Sequence, residues 1–495
     1  MIGPDFAGSN NHPNGWSCRP FTRSLERPAL MSLPNTHSPV TPSARAPLGI
    51  GTRIGYGIGD FGFVAAWQGA ALFLLYFYTD VLLLSPWVAG TIYLTGMIWD
   101  AVSDPLVASH ADRFAARRGR YGPLLRRAAI PLGLSYALLF AVPAGGEVWT
   151  IGAALAGHLI FRTAYTYASM PYNTLPVRLT TDGDARSSLS ALRVIGAALG
   201  GLTVAIATPL LVQATAHAGE RTGYGLASFV IGAVIIAILL GSSLATREPD
   251  RPRPVAPKAN IRQDILELWS ATRRNGPLQR LLVLMMLATI GFALFIQSQL
   301  YFLNHVLEAP EIAAAILAGP ALAMIIAAPL WMMLSARTSK RSTMISGLLV
   351  ATVGYVMMGL APLGGVSVAL VAICLIGAGS AAIPVMFWSM MPDVIDHGEL
   401  STGIRVEART FGLTTFVQKC SAGLAALLTG GLLTLSGYAA EEAPGGYALD
   451  SITAMVSWIP AAFMLAMVMV TRRYPVSRDQ HRTNINRLAS RSDAD

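Results

Sequence analysis

Charge is what this sequence has least of. Only 13% of its 495 residues are Asp, Glu, Lys or Arg, against about a quarter in water-soluble domains. The shortfall excludes a soluble globular chain. Alternating segments of ~10 residues are missing as well, which excludes a transmembrane β-barrel. There are three cysteines, Cys18, Cys374 and Cys420. No spacing among them suggests a disulfide framework or a metal site. No phosphate-binding P-loop occurs, so ATP-driven chemistry has no support. No nucleophile–base pattern stands out, so no enzyme is expected. Residues 1–47 are rich in Pro, Ser, Asn and Arg and lack the apolar core of a signal peptide. They are expected to form a disordered tail, with Met31 as the true start.

What is abundant is apolar sequence. Hydrophobic residues make up 53% of the chain, and mean hydropathy is +0.51. Runs near the ~20 residues that cross a bilayer recur along it. They fall near 57–80, 86–109, 126–144, 147–175, 188–213 and 223–246, then near 278–305, 310–335, 343–362, 366–391, 407–436 and 452–471. The expectation is an all-α polytopic membrane protein with twelve transmembrane helices. It divides into a six-helix bundle at 48–246, a linker at 247–277, a second bundle at 278–471 and a tail at 472–495. Within the linker, Ile261, Ile265, Leu268 and Trp269 stand at helical spacing and predict a short amphipathic helix.

The net charge of +9 does not point to nucleic acid. Basic residues crowd alternate loops: Arg113 to Arg127, Arg247 to Arg280, Arg337 to Arg341, and the tail from Arg472. The other loops hold Arg221 alone. By the positive-inside rule the basic loops and both termini are cytoplasmic. Anionic headgroups are a sufficient partner for this charge.

Against that background "IWDAVSDP", Ile98 to Pro105, is anomalous. It places Asp100 and Asp104 in a span, where a charge costs ~2.5–3.5 kcal/mol on the insertion scale. At i and i+4 they share a helix face. They repel unless a cation lies between them or one is protonated. Ser103 adds a hydroxyl oxygen, so a small hard cation such as Na⁺, or H⁺, is the expected occupant. The competing account pairs these acids with Arg193 or Lys419 to lock helices together. Span four carries His158, Arg162, Thr166, Ser169 and Asn173 at steps of four and three, forming one polar stripe. Span one carries Gln68, two turns beyond Asp60, and Asp60 is expected to cap or anchor that span. Thr166 and Ser169 have a plain alternative, bonding the carbonyl four residues back. In "PDVIDHGE", Asp393, Asp396 and Glu399 lie at a helix end beside Arg405 and Arg409. Ion-paired gating is expected there rather than metal binding.

Several motifs together resemble one family. They are "YGIGDFG" with "YFYTDV", "IWDAVSDPLVASHADR" running into "RRGRYGP", then "YTYASMPYNTL", "PDVIDHGE", "GIRVEA" and "VQKCSAG". From about residue 54 to its end the chain resembles the glycoside–pentoside–hexuronide:cation symporters, the melibiose-carrier branch of the major facilitator superfamily. The resemblance implies a major facilitator fold and symport of a sugar, glycoside or uronate with Na⁺ or H⁺ by alternating access. No cofactor beyond the coupling ion is implied. It assigns the cation site to Asp100, Ser103, Asp104 and Thr166, a coupling lysine to Lys419 and a sugar-site arginine to Arg193. Galactoside carriers of the family grip hydroxyls with acids and a tryptophan at positions that are Val64, Ser169 and Asn173 here. With those acids gone and Arg162 added, the cavity is expected to be more positive and the substrate anionic. Expected substrate contacts are Gln68, Arg162, Ser169, Asn173 and Arg193. Expected cytoplasmic latches are Asp112, Arg113, Arg117 and Arg120, together with Asp393, Asp396 and Glu399. A monomer in a bacterial inner membrane is expected. Two alternatives make different predictions: a carrier of lysolipid-like amphiphiles predicts a lateral cleft, and a transport-dead sensor predicts a missing ion site.

Overall fold

Pro86 stands in the first turn of a 33-residue helix, and Gly119, left-handed at φ 72°, ends it. Proline supplies a fixed φ where no N–H is needed, and glycine the conformation that side chains resist. Such punctuation divides a nearly all-helical chain. A computed structural model describes residues 49–180, 183–246, 272–402 and 407–474. The segment expected as an amphipathic helix lies largely outside them. Among the described residues there is no strand.

The first half contains α1 (Ile50–Tyr76), α2 (Pro86–Arg118), α3 (Gly122–Leu139), α4 (Glu147–Leu179), α5 (Gly183–Ala214) and α6 (Glu220–Ala245). The second contains α7 (Gly276–Tyr301), α8 (Ala313–Arg337), α9 (Lys340–Ser380), α10 (Ala382–Thr402), α11 (Glu407–Leu435), α12 (Gly446–Val456) and α13 (Trp458–Arg472). Side-chain caps open α7, where Asn275 accepts from the Leu278 N–H, and α9, where Ser339 accepts from the Ser342 N–H. Eight stretches among the described residues are long and apolar enough to cross a membrane. The helices α2, α3 and α4 fall below that mark. Their arginines, acids and hydroxyls lower the hydropathy, although each coincides with an expected span.

The second half departs from uninterrupted spans. The expected spans 343–362 and 366–391 meet at Gly365, whose φ of 71° and ψ of −167° are non-helical, so that α9 is two helices joined across a kink. The later of the two is broken again at Ala381, between α9 and α10. Pro384 has no N–H for the Ser380 carbonyl, which accounts for that break. The last expected span breaks at Ser457, where Pro460 likewise leaves the Val456 carbonyl without a donor.

In the first half α1 packs on α5 and α6, and α4 on α2 and α3; in the second, α9 packs on α8 and α13, and α7 on α11 and α13. The halves meet through α2 with α11, α5 with α8 and α1 with α7. These contacts gather at the end away from the basic loops. There α2 and α11 approach through bare backbone. A Cβ on Gly430 would stand 2.1 Å from the Pro86 carbonyl oxygen, and one on Gly90 2.7 Å from that of Ala426. Small residues permit such approach between helices in lipid, where packing rather than hydrophobicity holds them together.

The helices α1 and α7 end alike. Each passes into a single π-helical turn, Phe77–Val81 in "YFYTDVL" and Phe302–Val306 in "YFLNHVL". Each turn is followed by a residue with positive φ, Leu83 at 56° and Glu308 at 50°. The backbone bonds repeat as well: Leu84 N–H to Tyr78 O at 3.0 Å, and Ala309 N–H to Leu303 O at 3.2 Å. This is an internal repeat, carried by sequence and backbone together.

Gly430→Ala should force α11 off α2 and cost ~1–3 kcal/mol. Gly241→Ala, where a Cβ meets nothing within 4 Å, should be neutral or stabilising by up to ~1 kcal/mol. Thermal unfolding of the two purified variants in detergent checks the contrast.

Candidate functional site

Two turns of α2 and one of α4 build the centre. Asp100 is fully buried, and Ser103 and Thr166 nearly so. The Thr166 hydroxyl faces both acids, 2.9 Å from Asp100 Oδ1 and 3.0 Å from Asp104 Oδ1. It therefore does not spend itself on its own helix, as the plainer account would have it. From α11, Lys419 Nζ lies 2.5 Å from Asp104 Oδ2 and 2.9 Å from Asp100 Oδ2. The second contact is at ion-pair distance but off the hydrogen-bond direction, and Asp100 Oδ2 accepts no hydrogen bond. Ser103 turns away; its hydroxyl donates to the Asp100 backbone carbonyl at 3.2 Å. The ammonium thus occupies the space between the two carboxylates and ties the halves together across α2 and α11.

Asp60 is no cap. It lies ten residues inside α1, where Arg193 of α5 donates to both its oxygens, Nη2 at 3.1 Å. Arg193 also donates to Asn173 Oδ1 at 2.9 Å and lies over the rings of Tyr56 and Tyr172. Arg162 is buried deeper, 1% exposed. Its Nε donates to His158 Nε2 at 3.1 Å, and its guanidinium lies 4.6 Å from the centre of the Trp67 ring. Its Nη1 is buried without a partner. Among the described residues no carboxylate is within ion-pair reach of it. Three acids, Asp60, Asp100 and Asp104, therefore share the middle of the helices with three bases, Arg162, Arg193 and Lys419.

A cavity of about 590 Å³ opens beside this cluster. Of the residues expected to touch substrate, Gln68, Ser169 and Asn173 line it. Arg162 and Arg193 do not: Arg162 lies behind Trp67 and Tyr93, and Arg193 is drawn onto Asp60. Asp104 and Lys419 also reach the wall. The second half contributes residues that sequence reasoning missed, among them Thr289, Gln297, Phe387, Trp388 and Gln418. Gln297 and Gln418 are polar groups within apolar runs, and that signal was available. The aromatics carried none, since a span facing lipid has the same composition.

The expected cytoplasmic latches lie at the far ends of these helices. Arg113 Nε donates to the Ser109 carbonyl of its own helix. Arg117 is in the last turn of α2, and Arg120 follows its Gly119 cap. Asp393 of α10 is held by Lys340 of α9 at 2.7 Å, within one half. Asp396 and Glu399 are half-buried on the same helix. The Asp112 side chain and Arg405 lie outside what the structure describes, as does the Arg409 side chain.

A model of the family described as "MFS/sugar transport protein" matches residues 55–478. The chain is similar to a glucuronide carrier protein homolog of Escherichia coli strain K12, 26% identical over 431 residues, covering 86% of this chain and 92% of that one. It is similar to an isoprimeverose transporter of Lactiplantibacillus pentosus, 26% identical, covering 82% and 85%. A putative sulfoquinovose importer of Escherichia coli strain K12 is also 26% identical, covering 87% and 90%. Among solved structures, the nucleoside transporter NupG superposes with a TM-score of 0.63 at 15% identity, over 86% of this chain and 100% of that one. A bacterial homologue of the human lysosomal transporter Spinster, in an inward-facing and unoccupied conformation, gives 0.60 at 17%, over 86% and 98%. At these identities the structural likeness establishes the fold.

Removing the ammonium should leave two buried acids in mutual repulsion. Lys419→Met is expected to cost ~3–5 kcal/mol. Lys419→Met combined with Asp104→Asn should recover most of the loss, because the two changes couple through one contact. A double-mutant cycle on unfolding temperatures in detergent reads this; strict additivity would show that the contact contributes nothing.

Proposed function

This chain belongs to the MFS/sugar transport protein family and is a multi-pass membrane transporter, and from that premise we propose that it couples uptake of a sugar-type substrate to a monovalent cation, Na⁺ or H⁺. The observation that carries the reading is the Asp100–Asp104–Thr166 cluster beside the cavity, whose wall Asp104 reaches, occupied by the tethered ammonium of Lys419. An ammonium is itself a monovalent cation, so the space it fills is of the right charge for the coupling ion. The ion takes the carboxylates and releases Lys419 toward the cavity. Twelve crossings in two six-helix halves rock about this point. The basic loops face the cytoplasm of a bacterial cell, with both termini on that side. The carrier acts as a monomer. In this state the outer end is shut.

The charge balance favours an anionic sugar. With neither ligand present, three central bases meet three acids. A bound cation leaves an excess positive charge beside Arg162, which has no acid of its own. A carboxylate or sulfonate on the substrate restores neutrality. Two of the three relatives' names point the same way, since glucuronides and sulfoquinovose are acidic sugars, whereas isoprimeverose is neutral. Aromatic walls from Trp67, Tyr93 and Trp388 suit the apolar faces of a sugar ring.

In proteoliposomes with a cation gradient, Asp104→Asn should abolish uphill accumulation of glucuronides. Uphill transport retained in that variant would remove Asp104 from the coupling site.

A further inference from the structure

The duplicated ends of α1 and α7 are fastened to each other by bonds that also come in duplicate. Tyr301 Oη lies 2.6 Å from Thr79 Oγ1, and Asn304 Nδ2 donates to Tyr76 Oη at 2.9 Å. Tyr76 and Thr79 hold in one half the positions that Tyr301 and Asn304 hold in the other. Each bond is therefore the image of its partner under the internal repeat. On the axis of the repeat stand Asp80 and His305, which occupy matching positions. His305 Nε2 is 3.7 Å from Asp80 Oδ1.

Tyr438, from the segment after α11, bridges the pair. Its hydroxyl donates to Asp80 Oδ1 at 2.5 Å and lies 2.8 Å from His305 Nε2. A phenol has one proton to give. With that proton on Asp80, His305 Nε2 is the donor to the phenol oxygen. Thr79 donates to the other carboxylate oxygen, Oδ2, at 2.6 Å. Asp80 is thus the acceptor on which contacts from both halves converge. Its side chain is 7% exposed, while that of His305 is 23% exposed.

We propose that Asp80, Tyr438 and His305 form a proton-operated latch, a titrating site separate from the cation site, that holds the outer end of the carrier shut. Neutral His305 contributes one hydrogen bond. Protonated, it adds a full charge beside the Asp80 carboxylate, in surroundings where charge pairs are screened less than in water. Closure is favoured when His305 carries its second proton and is relaxed when it does not. The other titratable groups around this site are Tyr301 of α7, Tyr76 of α1, and Glu220 and Tyr224 of α6. The helix α12 also packs on the π turn of His305, and its one acid, Asp450, is exposed. The latch depends on alternating access in the reading above, but not on which ion binds Asp100 and Asp104.

Spin labels at Gly146→Cys and Glu442→Cys, in loops of the two halves at this end, report its opening. The background has all three native cysteines replaced by serine, and the protein is held in lipid nanodiscs. Electron–electron distance distributions at about pH 5 and about pH 8 bracket the histidine range. The ratio of closed to open populations should be about tenfold higher at the acid pH. In His305→Gln, and independently in Asp80→Asn, that pH response should disappear. In Asp104→Asn it should persist, which separates failure of the latch from failure of the coupling assignment. An equal response in His305→Gln, no response in the parent, or opening at acid pH would overturn the proposal.

Discussion

One ammonium between two carboxylates sets the terms for the rest of this molecule. Asp100 is fully buried, and without a counter-charge its ionised form would cost more than most helix contacts return. Lys419 supplies that charge from the opposite half. The contact therefore does two things at once. It makes the buried acids tolerable, and it joins α2 to α11 at the level of the cavity. Any cation that takes the acids also releases a tie between the halves. In the proposed mechanism ion occupancy and conformational freedom are linked through the same few atoms, as reciprocal coupling requires.

Much of this was legible in the sequence because charge in hydrocarbon is expensive and conspicuous. Asp100 and Asp104 stood out by their spacing. The stripe from His158 to Asn173 marked a face of α4, and Thr166 and Lys419 meet the acids. The apolar runs and the alternation of basic loops carried the expectation of two halves. What could not be read was depth. Arg162 and Arg193 look alike in sequence, each an arginine in a span. One is stacked behind Trp67 and the other is paired with Asp60. Only the arrangement of neighbouring helices separates them. The second half of the cavity wall was hidden for a related reason, since Phe387 and Trp388 would serve equally well against lipid. The breaks at Ala381 and Ser457 had a signal in Pro384 and Pro460, but the apolar runs continue through them.

The two ends of the molecule are built on different principles. At the end away from the basic loops, hydroxyls, an amide, an imidazole and one carboxylate make short, directional bonds around the duplicated turns. Glycine-lined contact between α2 and α11 lies nearby. At the basic end, the described ion pair between Lys340 and Asp393 lies within a half. A structure with its directional contacts between halves at one end is closed there by specific bonds.

Arg162 lies behind a wall of aromatic rings and does not reach into the cavity. A fixed charge behind such a wall senses the sign of what enters and is indifferent to its outline. Recognition of that kind discriminates poorly between a planar carboxylate and a tetrahedral sulfonate, and strongly between either and a neutral hydroxymethyl group. Tolerance toward the shape of the cargo would then be built into the same arrangement that makes the carrier strict about its charge.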